Sequence, residues 1–286
     1  MNYLIILTLC ILATSKMSFQ SAFGKKKVKN TADAVAFNNL VFAVSALIFS
    51  YRIAGCSAPV WIYAAVGAIF SIVFQLAYTK ALSAGNVSIT VLIVNFSMVI
   101  VTLVSYFVYG DPISRIRFIG ILLTLLSFVL CTDFKDDRQY SKKKWFILTL
   151  VALAGTSGAS IAIKVFGESM YSGESQAYVS CLYIIASILT FIIYQVMRVK
   201  GARKTFEIGK HAVLSAIAVG GSLGIFQVLN TYAAANMDGT FFFPAYSGGA
   251  IVFSTLSGVF IFKDHLSKKQ ISSIATGVAA IALMSF

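Results

Sequence analysis

The stretch VIVTLVSYFVYGDPISR, residues 99–115, returns in looser form as VFSTLSGVFIFKDHLSK, residues 252–268. At a shift of 153 positions Val99, Thr102, Leu103, Phe107, Asp111 and Ser114 meet Val252, Thr255, Leu256, Phe260, Asp264 and Ser267. Ile113 meets Leu266, and Arg115 meets Lys268. Each copy is a long apolar run closed by a polar turn with an aspartate at the same place. Asp111-Pro112 reads as an N-cap followed by proline at the first helical position, where a missing N–H costs nothing. Asp264 and Ser267 offer the matching start in the second copy.

Outward from this stretch the correspondence continues. Ala81 meets Ala234 at the same shift. Near the beginning the shift is smaller: Leu7-Thr8-Leu9 matches Leu148-Thr149-Leu150, Ala13 matches Ala154, and Phe23-Gly24 matches Phe166-Gly167. A longer polar joint in the second copy absorbs the difference. The chain therefore divides into two copies, residues 1–134 and 135–286.

Between the turns lie ten apolar blocks: 2–22, 33–51, 58–82, 86–109, 113–132, 145–165, 175–197, 212–235, 239–262 and 267–285. Crossing the hydrocarbon core of a bilayer takes about 20 apolar residues. Hydrophobic residues make up 58% of the chain and charged residues 12%, about half the charge of a soluble domain. Each span must satisfy its own backbone hydrogen bonds in lipid, so the fold class is an all-α integral membrane protein of ten transmembrane helices. Five spans per copy is an odd number, so the fused copies must insert with opposite orientation. That predicts two inverted five-helix repeats with a site between them near the midplane. The first span lacks a basic leader and runs too long for a secretory signal, and Lys25, Lys26, Lys27 and Lys29 follow it. It is read as the first transmembrane helix.

Two five-helix repeats in this length resemble the ten-helix EamA-like branch of the drug/metabolite transporter superfamily. The family's third helix ends in a Tyr-x-Ala-Leu-like pattern, here Tyr78-Thr79-Lys80-Ala81-Leu82 and Tyr232-Ala233-Ala234-Ala235. A proline marks the family's fourth helix; Pro244 stands there in the second copy, Val91 in the first. The Gly-Glu that precedes the fifth helix is shortened to Gly110-Asp111 and Lys263-Asp264. The resemblance covers the whole chain and implies a transporter fold whose helices one, three, four, six, eight and nine line a central cavity. Small multidrug antiporters of the superfamily rely on a carboxylate within the first helix. None stands in this chain, whose ten acids all lie at or near span ends.

The net charge of +13 is concentrated. Seventeen Lys and Arg fall in the joints after spans one, five, seven and nine, against three on the opposite face. Basic loops stay cytoplasmic, which places both termini outside. The resemblance implies the reverse, and the charge bias is followed here. Anionic lipid headgroups suffice as partners for the stripe, so nucleic acid is not expected. The predicted location is the cell (inner) membrane, multi-pass, and a homo-oligomer is compatible with the sequence.

Ionisable and amide groups inside spans are costly and face the interior. Lys16 stands in the first span with Gln20 one turn on. It either snorkels to the headgroups or gives the cavity a fixed cation for a carboxylate or phosphate. Lys80 and Lys164, nearer span ends, read as snorkelling residues. Gln75, Asn95, Gln227, Asn230 and Tyr246 lie deeper. They either glue helices together or line the cavity, and they recur in the helices that the resemblance assigns to it. Pro244, Gly248 and Gly249 mark a place where the ninth span could bend. The cysteines Cys10, Cys56, Cys131 and Cys181 form no CxxC pair and read as small packing residues. No metal-ligand, cofactor or nucleotide motif is present, and no enzymatic grouping.

The leading expectation is a secondary transporter of small metabolites, an exporter of amino acids or related compounds. The alternative is an exchanger of anionic solutes that uses Lys16. A membrane-embedded enzyme is the remote rival.

Overall fold

The computed structural model describes residues 2–50, 53, 56–110, 114–131, 142–237, 239–263 and 266–284. The expected starts at Asp111-Pro112 and Asp264, and most of the basic joint after the fifth span, lie outside the described residues.

The described residues are mostly helical, without a strand among them. In order the helices are α1 (Asn2–Lys27), α2 (Thr31–Phe49), α3 (Ala58–Ala84), α4 (Val87–Asn95), α5 (Ser97–Tyr109) and α6 (Arg115–Cys131). Then follow α7 (Lys142–Gly167), a 3-10 turn (Ser172–Glu174), α8 (Ser175–Val199), α9 (Lys210–Asn236), α10 (Gly239–Phe260) and α11 (Lys268–Met284). Helices α4 and α5 lie within one apolar span, Val87–Tyr109, so the ten-span order holds. Among the described residues seven spans are long and apolar enough to cross a membrane, and α10 and α11 carry shorter apolar segments. Large apolar side chains cover the outer faces: Leu47, Ile62 and Phe107 are each at least 70% exposed. Such a surface is stable against lipid tails and not against water.

Local chemistry explains several ends. Asn30 caps α2 by accepting from Asp33 N while the Asp33 carboxylate accepts from Asn30 N, a capping box. Asn86 caps α4 through Ile89 N. Gly110 ends α5 at φ 71°, in the left-handed region that favours glycine.

Two sequence boundaries are corrected. The first helix continues five residues past 22, because Lys25, Lys26 and Lys27 are good helix formers and sit favourably at a helix C-terminus. The fourth span is not one helix. It breaks at Phe96, whose N–H reaches back three residues to Ile93 O, and Val99 N bonds Phe96 O at 3.0 Å. No glycine or proline marks this break, so a periodicity reading runs straight through it.

The packing pairs come in matched sets when each helix is exchanged for its counterpart in the other copy. α3 packs on α7, and α9 on α1; α3 on α8, and α9 on α2; α1 on α3, and α7 on α9; α1 on α10, and α7 on α4 and α5. α2 with α8, and α6 with α11, pair directly. The core between them holds Phe37, Phe42, Tyr178 and Tyr183, all essentially inaccessible.

Candidate substrate cavity

Close helix approaches shape the centre. An added Cβ on Gly155 would meet the Phe74 backbone N at 2.6 Å, so α7 lies directly on the main chain of α3. A Cβ on Gly249 would meet Cys10 Sγ at 2.5 Å, where α10 leans on α1. Cys10 Sγ also donates to Tyr246 O at 3.5 Å. The helices leave a cavity of about 130 Å³ between the two halves of the chain. Its wall is built from α1, α2, α3, α4, α5, α7, α8, α9 and α10.

The wall gathers most of the residues that the sequence singled out. Lys16, Gln75, Asn95, Gln227, Asn230 and Tyr246 all line it. Lys16 is 8% exposed. Its Nζ lies 4.9 Å from the centre of the Phe74 ring and 5.7 Å from that of Tyr78, an arrangement that a ring quadrupole favours. Among the described residues no carboxylate pairs with it. Its head is buried in the cavity wall, against the two rings. Asn95 stands at the helix break and donates Nδ2 to Val91 O at 2.8 Å. Its carbonyl oxygen is left without a partner among the described residues. Gln227 and Asn230 are 8% and 5% exposed, and their amides make no hydrogen bond to described residues. Tyr246 packs between Phe226 and Phe242.

Gln20 is placed differently. It is fully buried behind the wall and donates Nε2 to Gln75 Oε1 at 3.2 Å and to Thr79 Oγ1 at 2.6 Å. Thr79 is the hub of this layer. It also accepts from Asn38 Nδ2 at 2.8 Å and donates to Gln75 O at 2.7 Å. Gln75 is thereby held by its carbonyl, and its Nε2 is buried without a hydrogen-bond partner. An orphaned buried donor costs about 1–3 kcal/mol. Thr79 and Asn38 escaped the sequence reading, because short polar residues near span ends carry no periodic signal.

Gly248, Gly249, Lys80 and Lys164 are not on the cavity wall. Pro244 lies in α10, which continues through it as helix, and Gly248 is buried in the same helix. Lys80 donates to Thr31 Oγ1 at 2.7 Å at the exposed end of α3. Lys164 pairs with Glu168 at 2.7 Å and lies over the Tyr109 ring. Asp33, at a span start as expected of an acid here, is fully buried and was missed. It accepts from Lys29 N, Asn30 N, Thr205 N and Thr205 Oγ1, and so ties the joint before α2 to the joint after α8. The pattern Asn30-x-x-Asp33 is a capping-box signature that could have revealed half of this role. The described cysteines Cys10, Cys56 and Cys181 are free thiols.

An all-helical bundle with apolar outer faces is the architecture of a multi-pass membrane protein, and this one encloses a small central cavity with a few polar side chains on a mostly apolar wall. Residues 4–132, a little under half of the chain, match the model of the EamA-like transporter family. One solved crystal structure is similar in fold, with a TM-score of 0.64 and 18% identity. The similarity covers 98% of this chain and 94% of that one. No curated protein matches the sequence.

Proposed function

We propose that the chain is a secondary transporter of small carboxylate-bearing metabolites, amino acids and related compounds foremost, acting as an exporter. The observation that carries this reading is the lysine at the cavity wall. An unpaired buried ammonium costs several kcal/mol. A substrate carboxylate in the cavity would offset that cost, and it is the partner that the surroundings of Lys16 do not supply. The Lys16 ammonium then fixes one end of the substrate. Asn95 Oδ1, the amides of Gln227 and Asn230, Gln75 Nε2 and the Tyr246 hydroxyl orient the other end through groups that have no hydrogen-bond partner among the described residues. Gln20 acts through Gln75 and positions it.

In the same reading, residues 1–134 and 135–286 form two inverted repeats that rock against each other around the cavity. Two features support it: the matched packing pairs and the odd number of spans per copy, which forces opposite insertion. The break at Phe96 and the stretch Pro244 to Gly249 serve as hinges on the two sides. The charge bias puts Lys25–Lys27 in the cytoplasm and both termini outside. The proposal assigns no chemical reaction to the chain.

The test is tracer counterflow in proteoliposomes with a panel of amino acids, other small carboxylates and phosphate esters. Exchange of amino acids or carboxylates that is lost in Lys16→Met supports the reading. Exchange confined to phosphate esters would transfer the site to the anion-exchanger reading, with the same role for Lys16. Exchange confined to neutral or cationic solutes would overturn both.

A further inference from the structure

Cys56 and Cys181 lie far apart in sequence, one before α3 and the other inside α8. Their Sγ atoms are 3.7 Å apart. Nothing in the cavity account uses them. Cys56 is partly exposed, whereas Cys181 is fully buried. The two are held in register by a second contact. Glu174, which ends the 3-10 turn before α8, accepts from Ser57 N at 2.9 Å and from Ser57 Oγ at 2.5 Å. Ser57 is the neighbour of Cys56 and the cap of α3. One carboxylate therefore clamps the start of α3, in the first copy, to the start of α8, in the second.

Both ends lie on the face opposite the basic stripe, which the charge bias puts outside. That face meets an oxidising environment in which disulfides persist. The thiolate is the nucleophile in exchange, and access decides which thiol is attacked or attacks first.

We propose that Cys56 and Cys181 are a redox-active pair that closes to a disulfide by exchange with an external disulfide, pinning the outer end of α3 to α8. Cys56, the accessible thiol, loses its proton and attacks one sulfur of the external disulfide. A mixed disulfide forms and one external thiolate leaves. Cys181 then loses its proton and attacks Cys56 Sγ, releasing the second external thiolate. Two protein thiols and one disulfide become one protein disulfide and two thiols. The two cysteines are oxidised and the external disulfide is reduced. Rotation about the side-chain bonds has to bring the sulfurs from 3.7 Å to a bonded distance of about 2.05 Å. Because α3 and α8 belong to different copies, the bond holds the outer mouth shut. This last consequence rests on the rocking of the copies proposed above, whereas formation of the bond does not.

The experiment uses the full chain in right-side-out membrane vesicles treated with oxidised glutathione, then alkylated and digested without reduction. Mass spectrometry should find the Cys56 and Cys181 peptides joined, and dithiothreitol should separate them. In Cys181→Ser the Cys56 peptide should instead carry one glutathione that persists, the trapped first step. A Cys56 peptide found unmodified in both proteins would overturn the pair. So would attachment of glutathione to Cys181 before Cys56. For the gate, Ser160→Cys places a thiol on the cavity wall. An impermeant maleimide added outside should label it in reduced vesicles and fail to do so after oxidation. Equal labelling in both would overturn the closure of the mouth while leaving the disulfide and the transport reading standing.

Discussion

Replacing Gly155 with alanine adds one methyl group where α7 lies directly on the main chain of α3, beside the cavity. That methyl would stand 2.6 Å from Phe74 N and 2.8 Å from Phe74 Cα. Both obstacles are main chain, so no side-chain rotation relieves them. Ordinary contact begins at 3.4 Å, so α7 and α3 must part by roughly 0.8 Å. A gap of that size forfeits about a quarter to a half of each dispersion contact along the seam. Overpacking of this kind costs about 1–3 kcal/mol, and the better helix propensity of alanine returns up to about 1 kcal/mol. The control is Gly221→Ala in α9, where nothing lies within 4 Å of the added carbon. There only the propensity gain remains, up to about 1 kcal/mol. Thermal denaturation in one detergent, followed by size-exclusion of the surviving protein, ranks the three proteins. Gly155→Ala should lose its monodisperse peak at a lower temperature than the parent, and Gly221→Ala at an equal or higher one. The Phe74 ring supports Lys16, so Gly155→Ala should also weaken substrate binding. Gly155→Ala as stable as Gly221→Ala would refute the packing argument.

Asp33→Ala leaves three main-chain N–H groups without their acceptor, and part of each loss is recovered by water at this membrane face. A cost of about 2–4 kcal/mol is expected, read as lower thermal stability in detergent, whereas Asp33→Glu should recover part of it. Thr79→Val removes the acceptor shared by Gln20 and Asn38 while keeping the shape. It should destabilise by about 1–3 kcal/mol and raise the substrate KM through the loosened Gln75. Cysteines placed singly at Lys26 or Lys29 should resist impermeant reagents in intact cells and react after permeabilisation. Reaction before permeabilisation would reverse the orientation argued from charge.

The ten spans were legible because each is set by one physical requirement, enough apolar length to cross a bilayer. The polar set at the cavity was legible for a related reason: an amide or ammonium deep in a span has few places to go. Lys16, Asn95, Gln227 and Asn230 converge as that argument expects. The break at Phe96 was not legible, since Val94-Asn95-Phe96-Ser97 contains no helix breaker. The separation of Gln20 from Lys16 was not legible either. One turn of helix puts both on the same face, but only the packing of α3 decides which head meets the cavity and which meets Gln75 and Thr79. Asp33 and the Cys56–Cys181 pair depend on contacts between the copies, across more than a hundred residues of sequence, where span-by-span reading has no purchase.

The central claim is that Lys16 holds the anionic group of the substrate, and substrate-dependent counterflow in Lys16→Met tests it most directly. Methionine keeps the length of the side chain and removes its charge, so folding should survive, with thermal stability equal to or above that of the parent. Counterflow of a carboxylate tracer that the parent exchanges should be abolished, and Lys16→Arg should retain part of it through its charge. A Lys16→Met protein that exchanges the same tracer at the parent's rate would contradict the account.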